Sequence, residues 1–485
     1  MQTKILKNIF ILLGALLYSY LFAVDHLGLN TFIFSLALFL GQVYFDRSLL
    51  RKETFRWISG AHLFIALMVV VHQSYLAQTM YLLSFLLWVG YSQLPSLRFL
   101  WYGMLLGIGS MMATPLSALK DWSNLEWKRS RILLGWARLI VIPMVLGTLF
   151  FVIYYLANDN FAAIFDRLFS WVDQIDLDWN WKQITLFIIG LLCMGAVLWP
   201  SVITPLLRDR ESRWQMDLVR RRRRVYFDMT TLALKRHYFT ALLSLSMLNA
   251  LLLLVNILDL RYVWLDFSEK SAAQLSNFVH EGTSLLIIAI LLAMTVVVYF
   301  FRGNLNFYPD ERRRLRQLTY VWLVQNAVLA FSVGVRNYHY LDTYGLTSLR
   351  IGVMIFLLMV LAGLYFTFRK IRDRHTTYYL LSVNSWVIFL ILTASCAFNW
   401  TGIITRYNLS YLPEERLDLY YLGEQLSDKN VLLLKKHHGK LRSKDEKEAL
   451  DGWIKQKERR LRSRHRENGW RSWNWMDARI IRQIE

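Results

Sequence analysis

The chain has 485 residues, of which 55% are hydrophobic and 19% are charged, and its mean hydropathy is +0.31. Soluble domains carry about a quarter charged residues, so this composition excludes an ordinary soluble enzyme and predicts an integral membrane protein. The formal net charge of +21 lies in short loops between apolar runs rather than on a soluble domain, so we expect no nucleic-acid partner.

Long apolar stretches follow one another along the chain and predict an all-α, polytopic helical membrane protein. A spanning helix needs about 20 mainly apolar residues. Such stretches lie at 8–24, 31–45, 57–76, 79–93, 97–117, 132–157, 183–206, 238–258, 283–301, 317–335, 348–368 and 379–400. The prediction is about 11 or 12 spans, because loop charge leaves open whether one stretch between 57 and 117 is re-entrant or one loop breaks the positive-inside rule.

Composition divides the chain into N-terminal transmembrane helices at 1–131, a transmembrane core at 132–404 and a small helical tail at 405–485. Within the core, 158–182 has apolar residues at helical spacing and acidic residues between them, which predicts an amphipathic helix in the outer interface. The tail has a narrow apolar stripe at Leu450, Trp453, Ile454 and Leu461. Its Trp-rich segment "GWRSWNWMDARII" predicts an anchor, either on the outer membrane surface or on the helix bundle.

Three basic loops fix the predicted topology. The loop 207–237 contains five consecutive arginines, Arg220, Arg221, Arg222, Arg223 and Arg224, and the loops 302–316 and 369–375 are also rich in arginine. Two predicted spans separate each loop from the next one, so all three loops lie on one side of the membrane. The positive-inside rule assigns that side to the cytoplasm. They are also expected to attract anionic lipid headgroups. The resulting prediction is a multi-pass protein of the bacterial cytoplasmic (inner) membrane with an extracytoplasmic tail.

Polar residues recur at the predicted outer ends of successive spans and form a candidate outer-face cluster. They are His280, Glu281, Arg336, Asp342, Tyr344, Arg350, Arg406 and Asn408. Arg350 lies about 5 Å into its helix and needs a partner or a route to water, for which Asp342 and Glu281 are the expected carboxylates. The alternative is that these residues are ordinary helix ends, where charges favour the helix dipole or extend to lipid headgroups.

Five short motifs near these residues, in order, resemble a widespread bacterial family of multi-pass membrane proteins known only as a domain of unknown function. They are "LSNFVHEGTSLLI" (275–287), "RNYHYLDTYGLTSLRI" (336–351), "ITRYNL" (404–409), "LDLYYLGEQLS" (417–427) and "WRSWN" (470–474). The resemblance covers about 240–480, with weaker agreement at "GLN" (28–30), and departs from the family at a charged insertion around 435–467. It implies the same membrane topology and brings no established activity or cofactor.

The sequence lacks the common nucleotide, zinc-protease and redox motifs, and its two cysteines lie inside apolar runs, so we expect no cofactor and no metal. Three functions remain open. The first is a non-enzymatic envelope sensor, scaffold or regulatory component whose tail meets a protein partner. The second is a transporter or lipid-handling protein that uses the outer-face cluster. The third is an outer-face transferase that uses the adjacent His280 and Glu281 in acid–base chemistry.

Overall fold

A computed structural model describes residues 2–24, 26–123, 180–219, 229–265, 272–301, 309–439 and 444–484, with residue 307 and scattered residues between 147 and 167. Within these ranges the chain is helical, and its only strand-like pairing is one isolated bridge between Asp217 and His375. The predicted all-α class is confirmed. Of the predicted amphipathic segment 158–182, fifteen of 25 residues lie outside the described residues, and all five arginines at 220–224 do as well.

The helices follow in chain order. The first part of the chain contains α1 (Gln2–Leu21), α2 (Leu29–Phe45), α3 (Glu53–His72), α4 (Tyr75–Gln93), α5 (Leu100–Met112), α6 (Thr114–Ser123), α7 (Trp181–Leu198) and α8 (Thr204–Ser212). The second contains α9 (Met229–Asp259, continued by a π-helical turn Leu260–Leu265), α10 (Ala272–Phe300), α11 (Pro309–Tyr344), α12 (Ser348–Asp373) and α13 (Thr377–Ser395). The tail contains α14 (Trp400–Tyr411), α15 (Val431–His438), α16 (Lys444–Asn468) and α17 (Trp475–Ile484).

Among the described residues, seven helices are long and apolar enough to cross a membrane, namely Lys4–Leu21, Glu53–His72, Trp181–Leu198, Lys235–Leu265, Arg313–Tyr344, Ser348–Asp373 and Thr377–Ser395. Shorter apolar helices lie at Leu29–Phe45, Leu100–Met112 and Leu286–Phe300. Every predicted stretch except 132–157, which is mostly outside the described residues, overlaps with a helix, although 97–117 is divided between α5 and α6 at Ala113. The stretch 183–206 was predicted too long, because α7 ends at Leu198 before Pro200, which disfavours helical geometry in the residue preceding it.

Side-chain caps begin several of the helices after short connections. The capping residues Ser74, Asn180, Thr347, Thr376 and Asn399 each accept a hydrogen bond from the backbone N–H three residues later. Each cap satisfies one of the N–H groups that a helix start leaves unpaired. The α3–α4, α11–α12, α12–α13 and α13–α14 connections are each two to four residues long.

Two apolar cores lie within the membrane helices. One is built from α1 to α7 with α13, and the other from α9 to α12. In the first core the glycines of "GMLLG" allow α4 and α5 to approach closely: a Cβ on Gly107 would lie 2.0 Å from the carbonyl oxygen of Leu86. A Cβ on Gly90 would lie 1.9 Å from the carbonyl oxygen of Gly103. Glycine at positions 90, 103 and 107 therefore permits this close backbone contact between α4 and α5.

The three basic loops meet at one end of the helices, which we call the basic end. Leu218 donates its N–H to the carbonyl of Arg374 at 2.9 Å, and Thr376 donates to the carbonyl of Met216 at 2.8 Å. The ammonium of Lys370, in the loop 369–375, donates at 3.0 Å to the carbonyl of Phe301, which directly precedes the loop 302–316. From this end α13 runs for 19 residues, about 28 Å, to the opposite end, where the tail is seated. We call that the tail end.

Candidate functional site at the tail end

The tail has its own apolar core, built from α14, α15, α16 and α17 with the segment between Leu417 and Leu426. The predicted stripe is confirmed: Leu450, Ile454 and Leu461 are buried there, and Trp453 packs against them. Lys457 lies on the same stripe, since 450, 454, 457 and 461 share a helix face. The sequence contained that spacing, but a lysine was not expected inside a core.

Two buried lysines of the tail donate hydrogen bonds to backbone carbonyls, one within the tail and the other at the end of α3. Lys457, with no exposed surface, donates to the carbonyl of Leu426 at 2.7 Å. Lys429, 8% exposed, donates to the carbonyl of His72 at the last residue of α3. Burial lowers the pKa of each of these two lysines to about 8. An ammonium held against the carbonyls of a helix end also faces the negative end of the helix dipole.

The Trp-rich segment lies directly on the loop between α1 and α2. Leu29 donates its N–H to the carbonyl of Trp473 at 3.0 Å, and Asn30 donates to the carbonyl of Arg471 at 2.7 Å. The contact requires a glycine at position 28, because a Cβ there would lie 2.4 Å from the carbonyl oxygen of Ser472. The motifs "GLN" and "WRSWN", more than 400 residues apart, therefore form one backbone contact. Of the two predicted anchors, the structure has the one on the helix bundle.

Gln73, in the turn between α3 and α4, links this contact to a second loop. Its amide donates to the carbonyl of Leu27 at 2.6 Å, and its carbonyl accepts from Asn474 at 2.9 Å. Asn474 in turn caps α17 by accepting the N–H of Asp477 at 2.8 Å. Gln73 adopts a left-handed conformation with φ 46°, which ends α3 and directs the chain into the turn. We call residues 26–31, 72–74 and 471–477 the tail junction.

The predicted outer-face cluster is divided into separate groups. Arg336 forms a buried ion pair with Asp259, which also accepts a hydrogen bond from Ser332 at 2.6 Å. This pair lies between α9 and α11 and joins the two helices. The two residues are 77 positions apart in the chain, and only the fold brings them together. Because both side chains are buried, the pair is a structural contact rather than an open binding surface.

Arg350 has partners other than those predicted. Its guanidinium donates to the carbonyl of Tyr344 at 3.0 Å and to that of Gly345, and it lies 4.2 Å over the ring of Tyr340. The expected Asp342 partner was wrong, because carbonyl oxygens at and just after the end of α11, which carry partial negative charge, accept from the guanidinium instead. Glu281, the other expected partner, has a side chain outside the described part, as does His280.

Asn408 fixes the same α11–α12 loop from the tail. Its side-chain oxygen accepts the N–H of Leu346 at 2.6 Å, and its amide donates to the carbonyl of Leu346 at 2.9 Å. Gly345 lies beside it at φ 78°, a conformation that favours glycine. Tyr344, Arg350 and Asn408 are thus brought together as the support of one loop.

Arg406 belongs to a third group, on the outer side of α14. It lines an open groove of about 480 Å³ with Tyr407 and Tyr411. Burial, followed by the nearby carboxylate of Asp342, raises the pKa of Tyr407. Arg406 and Asp342 therefore lie near the same tyrosine, apart from the groups around Arg336 and Arg350. In the described part of the chain, no group of three or more His, Cys, Asp or Glu side chains could hold a metal ion.

Apolar helices of spanning length, with charged loops at their ends, define a polytopic α-helical membrane protein. Residues 8–437 match the family described as a domain of unknown function, DUF4153, and the chain belongs to that family. The match starts earlier than the predicted resemblance and includes "GLN", but it stops before α16 and "WRSWN". No curated protein and no solved structure matches the chain.

Proposed function

We propose that the protein is a non-enzymatic scaffold or sensor of the bacterial cytoplasmic membrane, whose tail meets an acidic envelope protein on the outer side. The observation that carries the proposal is a row of exposed cations on α16, which we call the basic stripe. It consists of Lys455, Arg459, Arg462 and Arg466. Spacings of four, three and four residues place them on one helix face over about 17 Å.

The neighbouring arginines on α16 form ion pairs within the tail, whereas the residues of the basic stripe form none among the described residues. Arg460 and Arg464 both turn towards Asp428, and Arg464 forms a close ion pair with it. The four stripe residues form no ion pair within the described residues, and the opposite face of the helix packs into the tail core. Exposed cations without partners favour an acidic surface, where charge complementarity raises association rate and specificity.

The position of the tail supports the proposed orientation. The basic loops lie at the opposite end of α13 from the tail junction, so a cytoplasmic basic end puts the tail outside. Single cysteines at Arg459 and Arg213, placed in a chain whose Cys193 and Cys396 are replaced, test this with a membrane-impermeant thiol reagent in intact cells. Labelling at 459 alone supports the orientation, and labelling at 213 alone contradicts it.

Charge reversal of the basic stripe tests the partner. The variant Arg459→Glu/Arg462→Glu/Arg466→Glu should lose the complex that the wild-type chain forms on native electrophoresis of solubilised membranes. A matched control reverses three exposed cations elsewhere on the tail, Arg416, Lys436 and Arg482, and should keep the complex. If the wild-type chain migrates as a monomer, or if both variants behave alike, the scaffold proposal is wrong.

A further inference from the structure

A cavity of about 540 Å³ lies at the basic end, away from the tail and from every site described above. It opens between the start of α1, the end of α2, the end of α4 and the end of α7. Its polar lining includes Lys4, Lys7, Gln42, Asp46 and Gln93. The cavity therefore combines apolar and polar side chains at the ends of the apolar helices.

One wall of the cavity is held rigidly by Gln93. Its amide donates to the carbonyls of Ala196 at 2.7 Å and Trp199 at 2.8 Å, and its oxygen accepts the N–H of Ser201 at 2.9 Å. These contacts satisfy the last carbonyls of α7 and hold the corner at Pro200. The wall therefore keeps its shape without a ligand.

The cavity carries two cations on one helix. Lys4 and Lys7 are three residues apart on α1, so they lie on neighbouring positions of the same face. The one carboxylate in the lining, Asp46, accepts from the N–H of Ser48 at 3.0 Å and from its hydroxyl at 2.6 Å. With two ammonium groups against one carboxylate, the lining carries a net positive charge, which favours an anion.

Gln42 adds a second requirement for the ligand. Its side chain is 2% exposed, and its oxygen Oε1 is buried without a hydrogen-bond partner among the described residues. Buried acceptors are almost always satisfied, so this atom calls for an N–H or O–H group from outside the protein. A simple inorganic anion such as chloride brings no such donor.

The flanks of the cavity are apolar and face outwards. On α1, Ile5 is 53% exposed and Ile9 is 47% exposed, and on α2, Leu40 is 58% exposed and Tyr44 is 64% exposed. These side chains lie on the helices that form the cavity mouth, in a protein whose helices are of membrane-spanning composition. They provide a surface along which acyl chains can lie next to a bound headgroup.

We propose that this cavity binds the headgroup of one phospholipid molecule. The phosphate lies between Lys4 and Lys7, a hydroxyl or ammonium of the headgroup donates to Oε1 of Gln42, and the acyl chains follow the exposed faces of α1 and α2. Basic pockets between spans at the cytoplasmic side are suited to lipid headgroups. The chemistry required is a phosphate with an N–H or O–H donor nearby, as in phosphatidylglycerol and phosphatidylethanolamine.

Native mass spectrometry of the full-length protein in detergent, with added phospholipids, tests the proposal. Phosphatidylglycerol or phosphatidylethanolamine should be retained in preference to phosphatidylcholine, whose headgroup has no N–H or O–H donor. The variant Lys4→Gln/Lys7→Gln should bind the retained lipid about tenfold more weakly, because two cations at the phosphate are lost. The control Arg51→Gln/Lys52→Gln, which removes two exposed cations at the same end, should bind it normally.

Gln42→Leu gives an independent test that leaves both lysines in place. It should remove the preference over phosphatidylcholine while leaving phosphate-dependent retention. If wild type shows no headgroup preference, or if the lysine variant retains lipid as wild type does, the site assignment is overturned. If inorganic phosphate alone displaces the lipid at equal concentration, the cavity is a free-phosphate site and the lipid assignment is wrong.

Discussion

A methyl group at Gly28 should detach the tail from the helix bundle. In Gly28→Ala, the new Cβ would lie 2.4 Å from the carbonyl oxygen of Ser472 and 2.8 Å from that of Trp473. Both are backbone atoms, so no flexible side chain can give way. The segment 471–473 must shift, and the hydrogen bonds from Leu29 and Asn30 to it are lost.

The size of the effect follows from these contacts. Two backbone hydrogen bonds contribute about 1 kcal/mol each, and forced repacking adds about 1 kcal/mol or more. The free energy of opening the tail junction should therefore fall by about 3 kcal/mol. Since about 1.4 kcal/mol corresponds to a factor of ten, the open population rises by about a hundredfold.

Hydrogen exchange reads this change directly, because the amides of Leu29 and Asn30 are themselves the donors. Their protection should fall by about two orders of magnitude in Gly28→Ala. Gly60→Ala in α3 is the matched control, since a Cβ at position 60 meets nothing within 4 Å. Wild-type protection in Gly28→Ala, or equal loss in both variants, would refute the proposed contact.

Three further perturbations address the ion pair, the α11–α12 loop and the buried lysines. Asp259→Ala leaves Arg336 buried without its carboxylate and should cost about 3–5 kcal/mol, measured as a lower melting temperature in detergent. Arg350→Ala removes the donor for two carbonyls and should cost about 2 kcal/mol, measured as lower protein abundance. The folded-state pKa of Lys429 and Lys457 is about 8 against an ordinary 10.5, so the unfolded tail binds more protons between those values. The free energy of unfolding of the tail should therefore rise with pH across this window, by up to about 3 kcal/mol for each lysine.

Matched controls separate these effects from general damage. Asp209→Ala breaks the exposed pair with Arg213 and should cost less than about 1 kcal/mol. Arg406→Ala, in the open groove, should leave abundance unchanged, and equal loss in both arginine variants would contradict the loop assignment. The pH effect is measured as the urea midpoint of tail unfolding, which a fluorine tag at Ser463→Cys reports. A flat or falling midpoint from pH 8 to 10.5 would contradict it, and Lys457→Met should reduce the slope.

Sequence patterns predicted the helices well, because length and apolar spacing determine which segments can enter a membrane. Loop charge also placed the three basic loops together, and contacts such as Leu218 to Arg374 agree with that grouping. The apolar stripe of α16 was also predicted from apolar spacing. Its lysine at 457 was not, because the partners are carbonyls of Leu426 and Ser427, which only the folded chain brings within reach.

The candidate site was predicted less well than the fold. Residue types identified Arg336, Arg350 and Asn408 as polar groups at span ends, but not what each one contacts. The expected carboxylate for Arg350 was replaced by helix-end carbonyls, which every helix has and no side-chain pattern shows. The tail junction was missed although "GLN" and "WRSWN" were both seen, because nothing in either motif indicates that its partner lies at the other motif.

The tail junction also imposes an order on biosynthesis. The loop between α1 and α2 is made early, but the acceptors for the amides of Leu29 and Asn30 are not made until residues 471–473 leave the ribosome. During translation those amides bind water or another polar group at the membrane edge. A chain that stalls before Arg471 has all of its predicted spans inserted and still lacks this closure. The protection of the first loop therefore reports whether residues 471–473 have been made and have reached it.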